Sequence, residues 1–129
     1  MILIDTHAWI WFNSDPSKLS EVAVKHLERD KQIAISSISI YETMVAIEKG
    51  RLITSHSPET LVRRWLSSFD VKRIPVSEEI VIQSRTLSFI LADPFDRMIA
   101  GTAVCEKVPL MTADRNLLSL DWLATIPAQ

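Results

Sequence analysis

The sequence predicts an α/β fold in which a short parallel sheet carries helices on both faces. Short apolar runs alternate along the chain with longer stretches of helical spacing, and this alternation is typical of parallel sheets. The 129 residues are 47% hydrophobic, which is enough for one buried core. Because no internal repeat or linker interrupts this pattern, we expect a single domain over residues 1–129.

Each predicted element depends on an apolar run or on helix-boundary residues. Residues 1–5 are apolar on successive positions up to Asp5, as in a strand that is covered on both faces. Ser20 and Ser57-Pro58-Glu59 have the character of helix starts, and Gly50 that of a helix end. In chain order, strands are predicted at 1–5, 33–36, 72–76, 108–112 and near 124–126, and helices at 6–13, 20–30, 39–50, 57–69, 77–91, 93–107 and from 114 onward.

Charge and cysteine content narrow the class of protein. The formal charge is −2, from 14 basic and 16 acidic residues, so the chain lacks the overall basic surface of most nucleic-acid binders. Acids that bind a metal would account for part of this balance. The single cysteine, Cys105, cannot form an internal disulfide, and the sequence shows neither a secretory signal nor an apolar run of about 18 residues. We therefore expect a soluble, cytoplasmic protein.

Five acidic residues lie where apolar segments stop. They are Asp5, Glu42, Asp93, Asp96 and Asp114. Because ligands bind parallel sheets at the carboxyl ends of the strands, we expect Asp5 and Asp114 at that edge. Glu42 and Asp96 are expected to reach the same edge from the first turns of helices. Carboxylates gathered there repel one another unless a cation binds, and oxygen ligands favour Mg²⁺ or Mn²⁺, a setting that predicts phosphodiester chemistry.

Each acid also has a purely structural interpretation. Asp5, Asp93 and Asp114 stand where helix N-caps are expected. Glu42 would complete a capping box that begins at Ser39. Asp96 differs, because it shares a helical stripe with small and apolar residues, where a buried acid needs a partner. The structural interpretations stay open residue by residue, whereas the joint placement of the acids favours a metal site.

Residues beside the acids are candidates for supporting roles. Thr6 and Thr112 are placed to stabilise neighbouring acids by hydrogen bonds, as accessory residues. Arg97 and Arg115 each follow a candidate ligand segment, and a guanidinium forks onto phosphate oxygens, so we predict that both bind substrate. His7 is expected to position substrate or to fill space rather than bind the metal, because Mg²⁺ prefers oxygen ligands.

Four blocks of the sequence resemble the PIN domain (PilT N-terminus) family. They are Ile4-Asp5-Thr6-His7, Ser36-x-x-Ser39-x-x-Glu42, Asp93-Pro94-Phe95-Asp96-Arg97 and Met111-Thr112-Ala113-Asp114. The similarity spans essentially the whole chain and is greatest to the VapC-type toxins of bacterial toxin–antitoxin pairs. The Asp-Pro-Phe-Asp-Arg block is its most specific part. The resemblance implies a PIN-like three-layer sandwich.

The resemblance also implies a Mg²⁺- or Mn²⁺-dependent ribonuclease that forms a homodimer and is neutralised by an antitoxin protein. Asp93 becomes an accessory acid. Many relatives carry a histidine two residues before the Asp-Pro-Phe-Asp-Arg block, where this chain has Leu91. The positions that would bind the metal and carry catalysis are Asp5, Glu42, Asp96 and Asp114. Aromatic residues that could stack on RNA bases include Trp9, Trp11 and Tyr41. Packing in the core is the favoured interpretation of these residues.

Other classes of protein have a weaker basis in the sequence. An aspartyl-phosphate phosphatase uses two acids close together after its first strand, whereas Thr6 and His7 follow Asp5 here. A phospho-acceptor signalling domain has paired early acids and a lysine at the end of a late strand, whereas Lys107 precedes its predicted strand. A catalytically inert PIN-like module that only binds proteins stays open, and the intact acids favour the nuclease over it.

Overall fold

The structure of the protein, a computed structural model, describes residues 1–30, 32–87 and 93–129. These residues form a sheet, its covering helices and a 3₁₀ turn at Pro16–Lys18. The strands are β1 (Ile2–Ile4), β2 (Ile33–Ser36), β3 (Val71–Ile74), β4 (Leu110–Thr112) and β5 (Thr125–Pro127). The helices are α1 (Thr6–Ser14), α2 (Glu21–Arg29), α3 (Ser37–Glu48), α4 (Pro58–Ser68), α5 (Glu78–Thr86), α6 (Pro94–Glu106) and α7 (Arg115–Leu118). No helix within the described ranges is both long enough and apolar enough to cross a membrane.

The strands of the sheet are parallel and lie in the order β3-β2-β1-β4-β5. The chain moves outward from β1 to β2 and β3, and then returns to add β4 and β5 on the other side of β1. The direction therefore reverses between β1 and β4, where Leu3 pairs with Leu110 and Ile4 with Met111. In open α/β sheets, ligands bind at such switch points, outside the carboxyl ends of the strands.

Helices cover both faces of the sheet, which confirms the predicted α/β sandwich. Because side chains alternate along a strand, Ile2 and Ile4 of β1 face one helical layer and Leu3 faces the other. The first layer contributes Trp9 of α1 and Trp65 of α4, whose rings meet edge to face with centroids 5.6 Å apart. The second layer is built from α5, α6 and α7. Burial from both sides explains the uninterrupted apolar runs in the sequence.

The start of α3 differs from the prediction. The helix begins at Ser37, and Ser36 is its N-cap, whose hydroxyl accepts a hydrogen bond from the amide of Ile38 at 3.1 Å. The predicted capping box of Ser39 and Glu42 is therefore wrong. Ser39 lies inside the first turn and is 0% exposed, and Glu42 extends from the second turn rather than the first.

The end of α5 also differs from the prediction. The helix stops at Thr86, and its C-cap Leu87 already has extended backbone angles, φ −70° and ψ 148°. Residues 88–92 lie outside the described ranges. The comparison of Leu91 with the histidine of related proteins falls among them. The next described residue, Asp93, begins α6 as its N-cap.

Replacement of Trp9 by alanine tests the first helical layer. Because Trp9 is 0% exposed and packs on Trp65, we expect Trp9→Ala to lower the free energy of unfolding by about 3–5 kcal/mol. Urea denaturation followed by circular dichroism measures the loss. Trp122→Ala is the matched control and should cost much less, since Trp122 is 39% exposed. Equal losses for the two variants would contradict this account of the core.

Candidate active site at the sheet switch point

Asp5 and Asp114 flank the switch point of the sheet. Asp5 directly follows β1, and Asp114 lies two residues after β4. Oδ1 of Asp5 accepts a hydrogen bond from the amide of Ala8 at 2.9 Å and so caps α1. Oδ1 of Asp114 caps α7 by accepting from the amides of Asn116 and Leu117 at 2.8 and 3.2 Å. Capping does not exclude ligation, because each carboxylate has a second oxygen that can bind a cation.

Helix α6 brings two further acids to this edge. Asp93 is its N-cap, and its Oδ1 accepts from the amides of Phe95 and Asp96 at 2.8 and 3.4 Å. Asp96 lies in the first turn and is partly buried, on the helical face that also carries the buried Ile99 and Ala100. The start of α6 therefore places Asp93 at the surface and Asp96 deeper at this edge of the sheet.

A buried chain of hydroxyl groups holds Glu42. Thr6 Oγ1 donates to Oε1 of Glu42 at 2.6 Å and lies 3.1 Å from Oγ of Ser39. Thr6 has a single hydroxyl hydrogen and the carboxylate can only accept, so the Ser39 hydroxyl donates to Thr6 in turn. Thr6 and Ser39 are 6% and 0% exposed. The chain joins the start of α1 to α3 and orients the Glu42 carboxylate.

Thr112, at the end of β4, links the two acids of the switch point. Its hydroxyl is hydrogen-bonded to the Asp5 carboxylate, which can only accept. The same oxygen accepts from the amide of Asp114 at 3.0 Å. Thr112 is 0% exposed, so one buried hydroxyl relates the positions of both acids. Thr6 and Thr112, the two threonines predicted to stabilise neighbouring acids, thus each contact a candidate metal ligand.

The five carboxylates border a single cavity of about 430 Å³. They come from four separate segments: the end of β1, the second turn of α3, the start of α6 and the end of β4. His7, Trp11 and Arg51 also border this cavity. The acids that line it are Asp5, Glu42, Asp93, Asp96 and Asp114.

Burial and the neighbouring acids act together on Asp96. Burial, and then the negative charges of Asp93 and Asp114, raise the pKa of the Asp96 carboxyl from 3.8 to about 7. The charges of Glu42 and Asp5 act in the same direction. All four of the other acids in the cavity therefore contribute to the raised pKa of this residue.

Burial also raises the pKa of Asp5 and of Glu42, but hydrogen bonds oppose it. At Asp5, the opposing contributions come from the Thr112 hydroxyl and the Ala8 amide. At Glu42, the Thr6 hydroxyl opposes burial. These donors stabilise the ionised carboxylates, which is the form that a cation binds.

The donor set fits a hard divalent cation. Every candidate ligand offers carboxylate oxygen, and repulsion among the acids favours a positive charge between them. Among the described residues, no three or more Asp, Glu, His or Cys side chains stand close enough to hold one ion together in their present rotamers. Mg²⁺ commonly takes one or two protein carboxylates and keeps several waters, so its binding does not need closer convergence.

The two arginines predicted to bind substrate are not among the described residues that border the acidic cavity. A guanidinium nitrogen of Arg97 donates to the carbonyl of Ser84 in α5 at 3.3 Å, and Arg115 is exposed at the start of α7. Arg51 borders the cavity instead. It follows Gly50, whose φ of +72° turns the chain at the end of α3. The glycine that ends the helix is the one sequence feature that bears on the position of Arg51.

The aromatic residues divide between core and surface. Trp9 is fully buried, as predicted, and Trp11 is half-buried beside the acids. The favoured interpretation of Tyr41 as a core residue is wrong, because Tyr41 is 57% exposed. His7 is exposed, and its ring lies 6.1 Å from that of Trp11.

Comparison with protein families identifies the class. The model of the PIN domain family matches residues 2–123, and this chain therefore belongs to the PIN domain family. It is similar to a protein named Ribonuclease VapC22 of Mycobacterium tuberculosis (strain ATCC 25618 / H37Rv), with 28% identity over 121 residues, 92% of this chain and 90% of the relative. The resemblance noted in the sequence is confirmed.

Solved structures agree with this assignment. A toxin–antitoxin complex from Klebsiella pneumoniae contains a chain that is 26% identical, with a TM-score of 0.70 and coverage of 94% of this chain and 93% of that one. The structure of VapBC2 from Rickettsia felis, bound to a DNA fragment from its promoter, has a TM-score of 0.71 at 20% identity, with 97% of each chain covered. The second likeness supports the fold.

The metal-free protein is expected to lose stability as the pH rises from about 4 to about 7. Over this range the folded protein keeps a proton on Asp96 that the unfolded chain has released, because the folded pKa is about 7 against 3.8. Asp96→Asn removes this contribution. At pH 8 it should raise the free energy of unfolding by roughly 1–2 kcal/mol, a value reduced for solvent screening of a partly buried group.

Chemical denaturation in EDTA at pH 5 and pH 8 measures both effects. The gain from Asp96→Asn should be smaller at pH 5, where the folded protein already holds the proton. The exposed Asp121→Asn variant is the matched control and should leave the pH dependence unchanged. A gain that is the same at both pH values would contradict the raised pKa of Asp96, which burial and the neighbouring charges cause.

Proposed function

We propose that this chain is a divalent-metal-dependent endoribonuclease and the toxin of a toxin–antitoxin pair. The observation that carries the proposal is the cavity in which five carboxylates from four chain segments meet at the switch point of the sheet. Membership of the PIN domain family and the similarity to a protein named as a ribonuclease support hydrolysis of RNA phosphodiesters.

The residues have distinct proposed roles. Mg²⁺ or Mn²⁺ is held by carboxylates at the switch point and on α3 and α6, while Asp93, at the exposed start of α6, is accessory. Thr6 and Thr112 keep Glu42 and Asp5 in position through their hydrogen bonds. Arg97 and Arg115 stay predictions as phosphate contacts. The proposed metal-binding and catalytic set is Asp5, Glu42, Asp96 and Asp114.

The chemistry follows from charge and position. When bound, a divalent cation supplies an activated water nucleophile and neutralises charge on the phosphodiester oxygens. The chain keeps its ligands pre-oriented, because Asp5 and Asp114 are fixed by helix caps and Glu42 by the Thr6 hydroxyl. His7, exposed at the rim of the cavity, is placed to position the substrate.

Partners follow from the same comparisons. A chain similar to this one occurs in a structure described as a toxin–antitoxin complex, which supports an antitoxin partner. Coverage of the acidic cavity by that partner belongs to the proposal through the VapC-type resemblance. A homodimer belongs to the proposal through the VapC-type resemblance, and a cytoplasmic location through the single cysteine, Cys105, which cannot form an internal disulfide. The alternative is a catalytically inert PIN-like module that acts only through protein contacts, and it predicts neither metal binding nor RNA cleavage.

The joint substitution of Asp5→Asn and Asp96→Asn separates these alternatives. We expect RNA cleavage with Mg²⁺ or Mn²⁺ to fall at least a hundredfold, because two of the proposed ligands lose their charge. Calorimetry with Mn²⁺ should show binding to the unmodified protein and none at comparable concentration to the double variant. Asp121→Asn is the control for a lost surface charge. Persistent RNA cleavage by the double variant would contradict the proposed mechanism. If the unmodified protein binds no metal, the catalytically inert module is favoured.

The hydroxyl chain gives a second test. Thr6→Val removes the donor to Glu42 and leaves the buried Ser39 hydroxyl without its acceptor, so Mn²⁺ affinity should fall about tenfold. Thr6→Ser keeps the hydroxyl and should retain most of the affinity. Isothermal titration calorimetry measures both values. Equal affinities for the valine and serine variants would show that the Thr6 hydroxyl does not support the ligand.

A further inference from the structure

A groove of about 530 Å³ continues from the acidic cavity between α1 and α3. Six residues border both spaces, so the two are continuous. A polymer whose scissile bond lies over the acids therefore has this groove as an adjoining path. The shared residues are Thr6, His7, Trp11, Glu42, Arg51 and Asp93.

Aromatic rings border the groove, and the ring of Tyr41 is exposed. The Tyr41 side chain is 57% exposed, and its ring centroid lies 5.3 Å from that of Phe95 at an interplanar angle of 58°. On the α1 side, the rings of His7 and Trp11 are tilted at 53° to each other. Core packing does not account for Tyr41, since more than half of its surface meets solvent. Exposed rings beside a nuclease site are the surfaces on which unpaired bases stack.

Charged residues of both signs border the groove. Glu42 and Asp93 are the acids among the described residues that border it, and both belong to the end shared with the acidic cavity. Arg51 is exposed at that shared end, while the exposed Lys18 and Lys49 border the groove alone. The groove thus has both cations and aromatic rings along its border, a combination that complements a chain of phosphates carrying flat bases.

We propose that this groove binds an unstacked nucleotide of single-stranded RNA next to the scissile phosphate, with the base on Tyr41 and Phe95 and a backbone phosphate at Arg51 and Lys49. The inference rests on the proposed ribonuclease function and names the form of its substrate. A base-paired duplex buries its base faces in its own stack and cannot use the rings, so double-stranded RNA is excluded from this subsite. An apolar peptide would leave the three cations without counter-charges.

The aromatic half of the proposal is tested by Tyr41→Leu and Tyr41→Phe. Binding of a fluorescein-labelled eight-nucleotide single-stranded RNA is followed by anisotropy, in the Asp96→Asn background so that the RNA stays intact. Tyr41→Leu should weaken binding about tenfold, whereas Tyr41→Phe keeps the ring and should stay within about twofold. Phe69→Leu, which also removes an exposed ring, is the matched control outside the groove.

Abasic substitution identifies the contact itself. RNAs that lack one base at successive positions are compared on both proteins. Removal of the base that occupies the groove should weaken binding to the tyrosine protein but have little further effect on Tyr41→Leu, because ring and base form one interaction. If removal of a base weakens binding by the same factor in both proteins at every position, the stacking contact is overturned.

The electrostatic half is tested by Arg51→Gln, with the exposed Arg29→Gln on α2 as control. Arg51→Gln should weaken binding about tenfold at low salt and reduce the slope of log affinity against log salt by about 0.7. Arg29→Gln should change neither. A slope that is unaltered in Arg51→Gln would remove this residue from the phosphate path.

The results separate failure of this inference from failure of the proposed function. If the unmodified protein cleaves single-stranded RNA but Tyr41→Leu and Arg51→Gln bind and cleave it normally, the ribonuclease stands and the subsite is overturned. If those variants instead lose affinity only for a bound antitoxin peptide, the groove is a protein-docking surface. If the unmodified protein does not cleave RNA, the proposed function fails, while the anisotropy series still decides whether the groove binds it.

Discussion

Mutual repulsion among carboxylates at one edge of a parallel sheet is the constraint on which the rest of this structure depends. The fold offsets part of it with helix termini. Asp5, Asp93 and Asp114 are each the N-cap of a helix, where unpaired amides and the positive end of the helix dipole stabilise negative charge. Asp96 lies inside a helix and lacks a capping position, and the pKa of its carboxyl rises to about 7. Burial is the largest cause of that rise and the charges of the other acids add to it, and a cation at this edge would relieve the repulsion.

The structural and functional interpretations of the acids are not alternatives. A cap bond fixes the rotamer of a short aspartate, and a fixed rotamer is what a pre-organised metal ligand needs. Glu42 has a longer side chain and no cap position, and the buried hydroxyls of Thr6 and Ser39 restrain it instead. Asp5, Asp93 and Asp114 are therefore oriented by cap bonds and Glu42 by the hydroxyl chain, without any need for a neighbouring acid to hold them. Such an arrangement tolerates a metal-free state at the cost of stability near neutral pH.

The sequence predicted the sheet and most helix starts because their signals are local: apolar runs for β1 and β2, and caps such as Ser20 and Asp93. It misplaced the start of α3, since Ser36, Ser37 and Ser39 offer competing caps within four positions and the local sequence does not select Ser36 among them. The bond between Thr6 and Ser39 joins residues 33 positions apart, so no local pattern encodes it. Exposure of Tyr41 and the approach of Arg51 to the acids likewise depend on how α3 packs and ends.

Helices α1 and α3 connect the acidic cavity to the groove, because each has residues that border both spaces. On α3, the adjacent residues Tyr41 and Glu42 differ by about 100° around the helix axis, so Tyr41 extends to solvent in the groove and Glu42 takes the Thr6 hydroxyl. On α1, Thr6 and Trp11 both border the two spaces. The packing of this helix pair therefore sets the distance between the acids, suited to a cation, and the ring of Tyr41, suited to a base. The cations along the groove also explain how a chain with a net charge of −2 can present a surface for a polyanion.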